Sequence, residues 1–103
     1  MGKIIAAVSI TPLGTGSPSL SEYVAKALKI LDNYPDIEYE TDPMFTILYG
    51  EKEKVFKAIM DMQEEVFKVG AKRVSVIIKI DERRDKEVKP KDKIESLKKH
   101  FKT

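Results

Sequence analysis

The order in which the apolar residues change period is what most constrains this chain. In Lys3 to Thr11, Ile4, Ala6, Val8 and Ile10 alternate with Ile5, Ala7, Ser9 and Thr11, the two-residue repeat of a β-strand. Ser19 to Asn33 then sets Leu20, Val24, Ala27, Leu28 and Leu31 on one face of a helix, a spacing that asks to be buried on one side. Tyr34-Pro35 ends it, because a residue before proline avoids the helical region. Alternation returns in Ile37 to Thr41 and in Met44 to Tyr49, on either side of Asp42-Pro43, and two strands this close across a turn signal form a hairpin. Lys52 to Val69 reads as a second helix, with Val55, Ile59, Met62, Val66 and Val69 in one stripe and Phe56, Met60, Gln63 and Phe67 in another. Gly70 stands at the expected C-terminal cap. Arg73 to Asp81 is the last strand, with Val74, Val76, Ile78 and Ile80 expected to face the core.

Strand, helix, strand, strand, helix, strand is the βαββαβ order of the ferredoxin-like fold. The expectation is an α+β protein: an antiparallel four-stranded sheet carrying two helices on one face. A charged link, Glu82 to Lys89, leads to an extra C-terminal helix, about residues 91–102, with Ile94, Leu97 and Phe101 on one face. Asp92-x-x-Glu95 there has the form of a capping box. At 103 residues the chain is expected to be a single domain with one core. The uncovered sheet face would carry Ile5, Ala7, Phe45, Ile47, Tyr49 and Ile77, too apolar to stay wet. Pairing of sheets in a homodimer is therefore expected, with the terminal helix helping to cover the face. The double stripe of the second helix also points to a subunit contact.

Composition narrows the function classes. Charged residues make up 35% of the chain, yet the formal net charge is only +2: a salted surface and no basic nucleic-acid binder. The aromatics Phe45 and Tyr49 lack the basic residue and glycines of an RNA-recognition strand. There is no cysteine and one histidine, His100, which leaves no thiol nucleophile, no disulfide and no thiolate metal site. Dense mixed charge fits a heat-tolerant protein. No apolar run is long enough to span a membrane, and the N-terminal run reads as a strand with no signal-peptide cleavage pattern; a cytoplasmic protein is expected. Glu38 and Glu40 share a strand face and either keep a sheet margin soluble or suit a cation, whereas Glu64 and Glu65 point differently on a helix and form no pair. The Lys79–Asp85 segment either laces two subunits through ion pairs or binds an anion or ribose, its two arginines being neutralised by neighbouring acids.

The stretch from Ser9 to Tyr23 is the candidate for chemistry. Pro12, Gly14, Gly16 and Pro18 punctuate a loop dense in hydroxyls, and Ser19-Leu20-Ser21-Glu22 has capping-box form. A strand-to-helix turn of this kind is either a well-made connection or the edge of a polar-ligand site. It is no phosphate loop, since no Lys-Ser/Thr pair follows and the third glycine of G-x-G-x-x-G is absent. It also lacks the arginine an acylphosphatase-type loop needs.

Several motifs together resemble one family. They are Ile10-Thr11-Pro12-Leu13-Gly14-Thr15 with Ser19-Leu20-Ser21-Glu22-Tyr23-Val24-Ala25; Tyr39-Glu40-x-x-x-Pro43-Met44-x-Thr46; and Glu65-Val66-Phe67-x-x-Gly70-Ala71-x-Arg73-Val74, running on to Ile78-Lys79-Ile80-Asp81-x-Arg83-Arg84-Asp85. In this order, from Lys3 to about Lys86, the chain resembles the small thiamine-binding-type proteins of the MTH1187/YkoF-like group. The resemblance implies a ferredoxin-like domain paired through its sheets into homodimers and often homotetramers, binding thiamine or its hydroxymethylpyrimidine part without catalysis; no cofactor or metal is expected. Carried over by residue, it implies a ligand site lined by Thr11, Ser19, Ser21 and Tyr23 from the opening stretch and by Thr41, Met44 and Thr46 from the hairpin, with Glu40 close by. Two positions depart from the pattern: Phe45 replaces a glycine, and Gln63-Glu64 replaces a His-Glu pair. A phenyl ring at position 45 makes the openness of the pocket the point to examine. The alternative reading is an oligomeric regulatory or interaction module without a ligand of its own.

Overall fold

The computed structural model describes residues 2–16 and 20–101. Strand β1 (Lys3–Leu13) runs between β3 (Thr46–Glu51) and β4 (Arg73–Asp81), and β2 (Glu38–Thr41) lies beyond β3. All three pairings are antiparallel, giving the order β2-β3-β1-β4. This is the ferredoxin-like sheet that the alternating periods predict. Helix α1 (Ser21–Lys29) runs on into a 3₁₀ turn, Ile30–Asn33, and α2 (Lys52–Lys68) follows β3 directly. The two helices pack on each other and on one sheet face.

The period-two face of β1 makes the core possible. Ile4, Ala6 and Val8 are fully buried under the helices, with Leu48 of β3 beside them. From α2 come Val55, Ala58, Ile59, Met62 and Val66, and from the α1 segment Ala27 and Leu31. Burying each larger side chain of this set contributes about 1.5–3 kcal/mol. The second stripe of α2 is divided: Phe56 packs against the core, while Met60 and Phe67 are exposed. Tyr34, just past the 3₁₀ turn, donates its hydroxyl hydrogen bond to Asp61 of α2 and so pins the end of the first helical segment. Ile78 and Ile80, expected in the core, are more than a third exposed. β4 is an edge strand, and only Val74 and Val76 of that face pack against the core.

Three of the boundaries that differ from expectation have a clear local reason. β3 begins at Thr46 and not at Met44, because the Asp42 carboxylate oxygen Oδ1 accepts the N–H groups of Met44 (2.7 Å) and Phe45 (2.6 Å) and holds both in the turn. Helix α1 has Leu20 in the capping position with no side-chain cap. Ser19, the expected cap, lies outside the described residues. The terminal helix α3 (Pro90–Phe101) starts with proline in its first turn, where the missing N–H costs nothing. Asp92 is therefore no N-cap; it reaches back from inside the first turn to accept the Lys89 N–H at 3.0 Å.

Two features of the sheet matter below. β1 pairs with β4 along Ile5–Leu13, but with β3 only along Lys3–Val8. On the face away from the helices, the 82–89 link folds across the lower end and covers Tyr49. The ammonium groups of Lys3 and Lys89 stand 5.5 and 6.0 Å from its ring centroid. Ala7 and Ile47 remain half-buried there and Ile77 is exposed; Phe45, expected on this face, is held in the hairpin turn. Helix α3 does not lie over this face. It has no buried residue, and Ile94, Leu97 and Phe101 stay in solvent. The radius of gyration, 15.2 Å, exceeds the roughly 13 Å of a compact chain of this length.

Candidate functional site

Where β1 runs on past the end of β3, the sheet and α1 diverge and a groove of ≈ 600 Å³ opens. Its floor is apolar: Val8 and Ile10 of β1, Val24, Ala27 and Leu28 of α1, and Met62 and Val66 of α2. The repeats that build the core also build this floor, for these side chains continue the buried faces of their elements to the open end. The rim is polar. Ser9 and Thr11 line it from β1, Ser21 from the start of α1, and Thr41, Asp42 and Thr46 from the hairpin. Gly14 and Gly16 turn the loop above it in the left-handed region, at φ +73° and +78°, which only glycine adopts without strain.

Thr46 is the buried polar side chain among the described residues, 6% exposed. Its hydroxyl lies 3.5 Å from that of Thr41 across the hairpin, at the outer limit of a hydrogen bond. Asp42 sits at the mouth, its position fixed by the turn it closes. An apolar floor with a few convergent polar groups is the usual make-up of a small-molecule site.

Of the residues expected in a ligand site, Thr11, Ser21, Thr41, Met44 and Thr46 line this one groove. Tyr23 does not; it is half-buried against the core. Ser19 lies outside the described residues. Phe45 lines the groove without closing it. Glu40 pairs opposite Ile47 in the β2–β3 ladder, one residue out of step with Thr41 and Thr46, and so belongs to the other sheet face. The acid at the groove is Asp42. Asp42-Pro43 announces a turn, but the sequence gives no sign that the turn's carboxylate borders a cavity. The floor residues Val24 and Met62 were legible only as members of core stripes.

The strong electrostatics lie elsewhere. The Arg83 guanidinium holds Asp85 down to about 2, Arg84 and Lys52 bond Glu82 at 2.8 and 3.0 Å, and Lys93 pairs with Asp81. The charged segment is thus largely neutralised on the spot. His100 lies on α3, outside the groove lining. Among the described residues no cluster of His, Cys, Asp or Glu is arranged to hold a metal, and no helix is long and apolar enough to cross a membrane.

Comparison with known proteins agrees with this architecture. The UPF0045 protein YqgV of Bacillus subtilis is 44% identical over 100 residues, 94% of this chain and 96% of that protein. The UPF0045 protein MJ1052 of Methanocaldococcus jannaschii is 42% identical over 87 residues, 84% of each. The crystal structure of MJ1052 superposes with a TM-score of 0.86 at 39% identity, covering 95% of this chain and 98% of that one. A Thermotoga maritima protein, TM0486, described in terms of thiamine biosynthesis or salvage, shares the fold at a TM-score of 0.78 and 19% identity, over 92% of this chain and 98% of that one. Residues 6–98 match the family described as thiamine-binding protein. With nine-tenths of its length inside that match, the chain belongs to the thiamine-binding protein family.

Proposed function

We propose that the protein is a non-enzymatic binder of thiamine or of its hydroxymethylpyrimidine part, and that the groove between β1, α1 and the hairpin is the site. The observation that carries this is the groove itself: an apolar floor wide enough for an aromatic ring, edged by the hydroxyls of Thr11, Ser21, Thr41 and Thr46. The pyrimidine would rest on Val24, Met62 and Val66. Hydroxyls both donate and accept, so they match a ring that presents acceptor nitrogens beside an exocyclic amine. The family's name and the described role of TM0486 point to the same ligand.

Calorimetric titration with thiamine and with hydroxymethylpyrimidine tests the reading. Saturable binding of either supports it; no heat and no thermal shift at millimolar ligand refutes it. The working unit in this reading is a homodimer or homotetramer. The half-buried apolar residues of the uncovered face and the exposed Ile77 favour association through the sheets. The exposed stripe of α3 keeps an interaction module as the second reading.

A further inference from the structure

We infer that the groove selects a cationic, unphosphorylated ligand, and that the Asp42 carboxylate at its mouth makes the selection. The inference rests on the groove being the ligand site proposed above. The chain carries 19 lysines and arginines among 103 residues, yet none lines this groove; among the described residues Asp42 is its only charged side chain. Three other hollows of the surface carry both signs: one holds Lys3, Arg83 and Lys86 with Asp81 and Glu87, a second Lys52 and Arg84 with Glu51, Glu53 and Glu82, a third Lys89 and Lys91 with Glu38, Glu40 and Asp92. A phosphate ester is held by Arg or Lys side chains or by a loop of convergent N–H groups ending in a lysine. Gly14 to Gly16 contain no basic residue, and the sequence has none at the three positions that follow.

One feature of the site favours an anion, the N-terminus of α1 at Ser21, worth about half a positive charge. Glu22 in its first turn offsets that, and Asp42 adds a full negative charge at the rim. The balance is negative. Asp42 is also held ready: two backbone N–H groups bond its Oδ1, so orienting the carboxylate toward a cation costs little further entropy. Thiamine carries a fixed positive thiazolium, and its diphosphate ester reverses the net charge. Asp42 is exposed, and a unit charge about 4 Å from such a carboxylate changes binding about fivefold.

The test titrates four compounds, hydroxymethylpyrimidine, thiamine, thiamine monophosphate and thiamine diphosphate, into the wild-type protein and Asp42→Asn. Asparagine keeps the oxygen that accepts the Met44 and Phe45 N–H groups and removes only the charge. The expected result is thiamine about tenfold or more tighter than its diphosphate in the wild type. In Asp42→Asn thiamine weakens about fivefold, while neutral hydroxymethylpyrimidine changes less than about twofold. Diphosphate binding as tight as thiamine, or a preference unchanged by Asp42→Asn, overturns the inference and leaves the binding function standing. If none of the four binds the wild type, both fall. Should Asp42→Asn melt early, the wild-type phosphate series alone decides.

Discussion

Thr46 offers the sharpest separation between holding the fold and serving a ligand. It is buried, and its hydroxyl has only the 3.5 Å contact to Thr41 as a partner across the hairpin. A hydroxyl buried with so weak a bond costs about 1–3 kcal/mol relative to one in water. Thr46→Val keeps the branched shape that suits a strand and replaces the hydroxyl by a methyl. The variant should therefore be more stable, by about 1 kcal/mol, which raises the melting temperature of a domain this size by roughly 4–8 °C. If the hydroxyl serves a ligand in the groove, the same change removes one neutral hydrogen bond, about 0.5–1.5 kcal/mol, and weakens thiamine binding about two- to thirteenfold. Urea unfolding gives the first quantity and calorimetric titration the second. Opposite signs, stability up and affinity down, are the expected pair. A loss of 1 kcal/mol or more of stability would falsify the claim that the hydroxyl is poorly satisfied, and unchanged affinity would remove Thr46 from the site.

Other expectations follow from the same structure. Ile77→Lys, on the uncovered face, should shift the protein toward monomer in light scattering if copies pair through their sheets; an unchanged mass would move the interface elsewhere. Tyr34→Phe leaves Asp61 without its hydroxyl donor and should cost about 1–2 kcal/mol in urea unfolding. The same hydrogen bond raises the Tyr34 phenol above its usual range. Its contribution is complete below the unfolded value near 10 and is lost as pH rises through the folded one, so the wild type should lose stability faster than Tyr34→Phe on alkaline titration. On the acid side, hydrogen bonds from Lys54, Lys93, Lys52 and Arg83 lower Asp36, Asp81, Glu82 and Asp85 respectively, the last to about 2. Their stabilisation is present above pH 4–4.5 and disappears as pH falls toward 2. The groups are exposed, so the decline in melting temperature should be shallow, and smaller still at high salt.

What could be read from the residues was whatever repeats. β1, α2 and the hairpin announce themselves by period, and the strand order follows from the order of periods. Five of the seven expected site residues meet in one groove because they sit where a strand end, a helix start and a hairpin turn converge, and that convergence is a property of the topology. The rest depended on single side chains acting on the backbone. Asp42 takes two N–H groups and shortens β3; Asp92 reaches back to Lys89 and moves the start of α3 forward. Glu40 and Asp42 differ by two positions in the sequence, yet they end on different sides of the sheet because the turn breaks the alternation between them. Tyr23 lies within the motif but faces the core, since its place on α1 is set by helix packing.

The early end of the β1–β3 ladder has a consequence for how recognition is divided between side chains and main chain. Past Val8, β1 has β4 on one flank and no β3 on the other. In an antiparallel strand the N–H and C=O groups of successive residues point alternately to the two flanks, so Ser9 to Leu13 present main-chain groups toward the gap at the groove. A molecule seated there meets a strip of peptide edge as well as the hydroxyl rim. Hydrogen bonds to that edge are indifferent to which side chain each position carries, Pro12 and its missing N–H excepted. Relatives could change much of the rim and keep that part of the grip, and single substitutions of rim residues would then leave a residual affinity that belongs to the shape of the sheet.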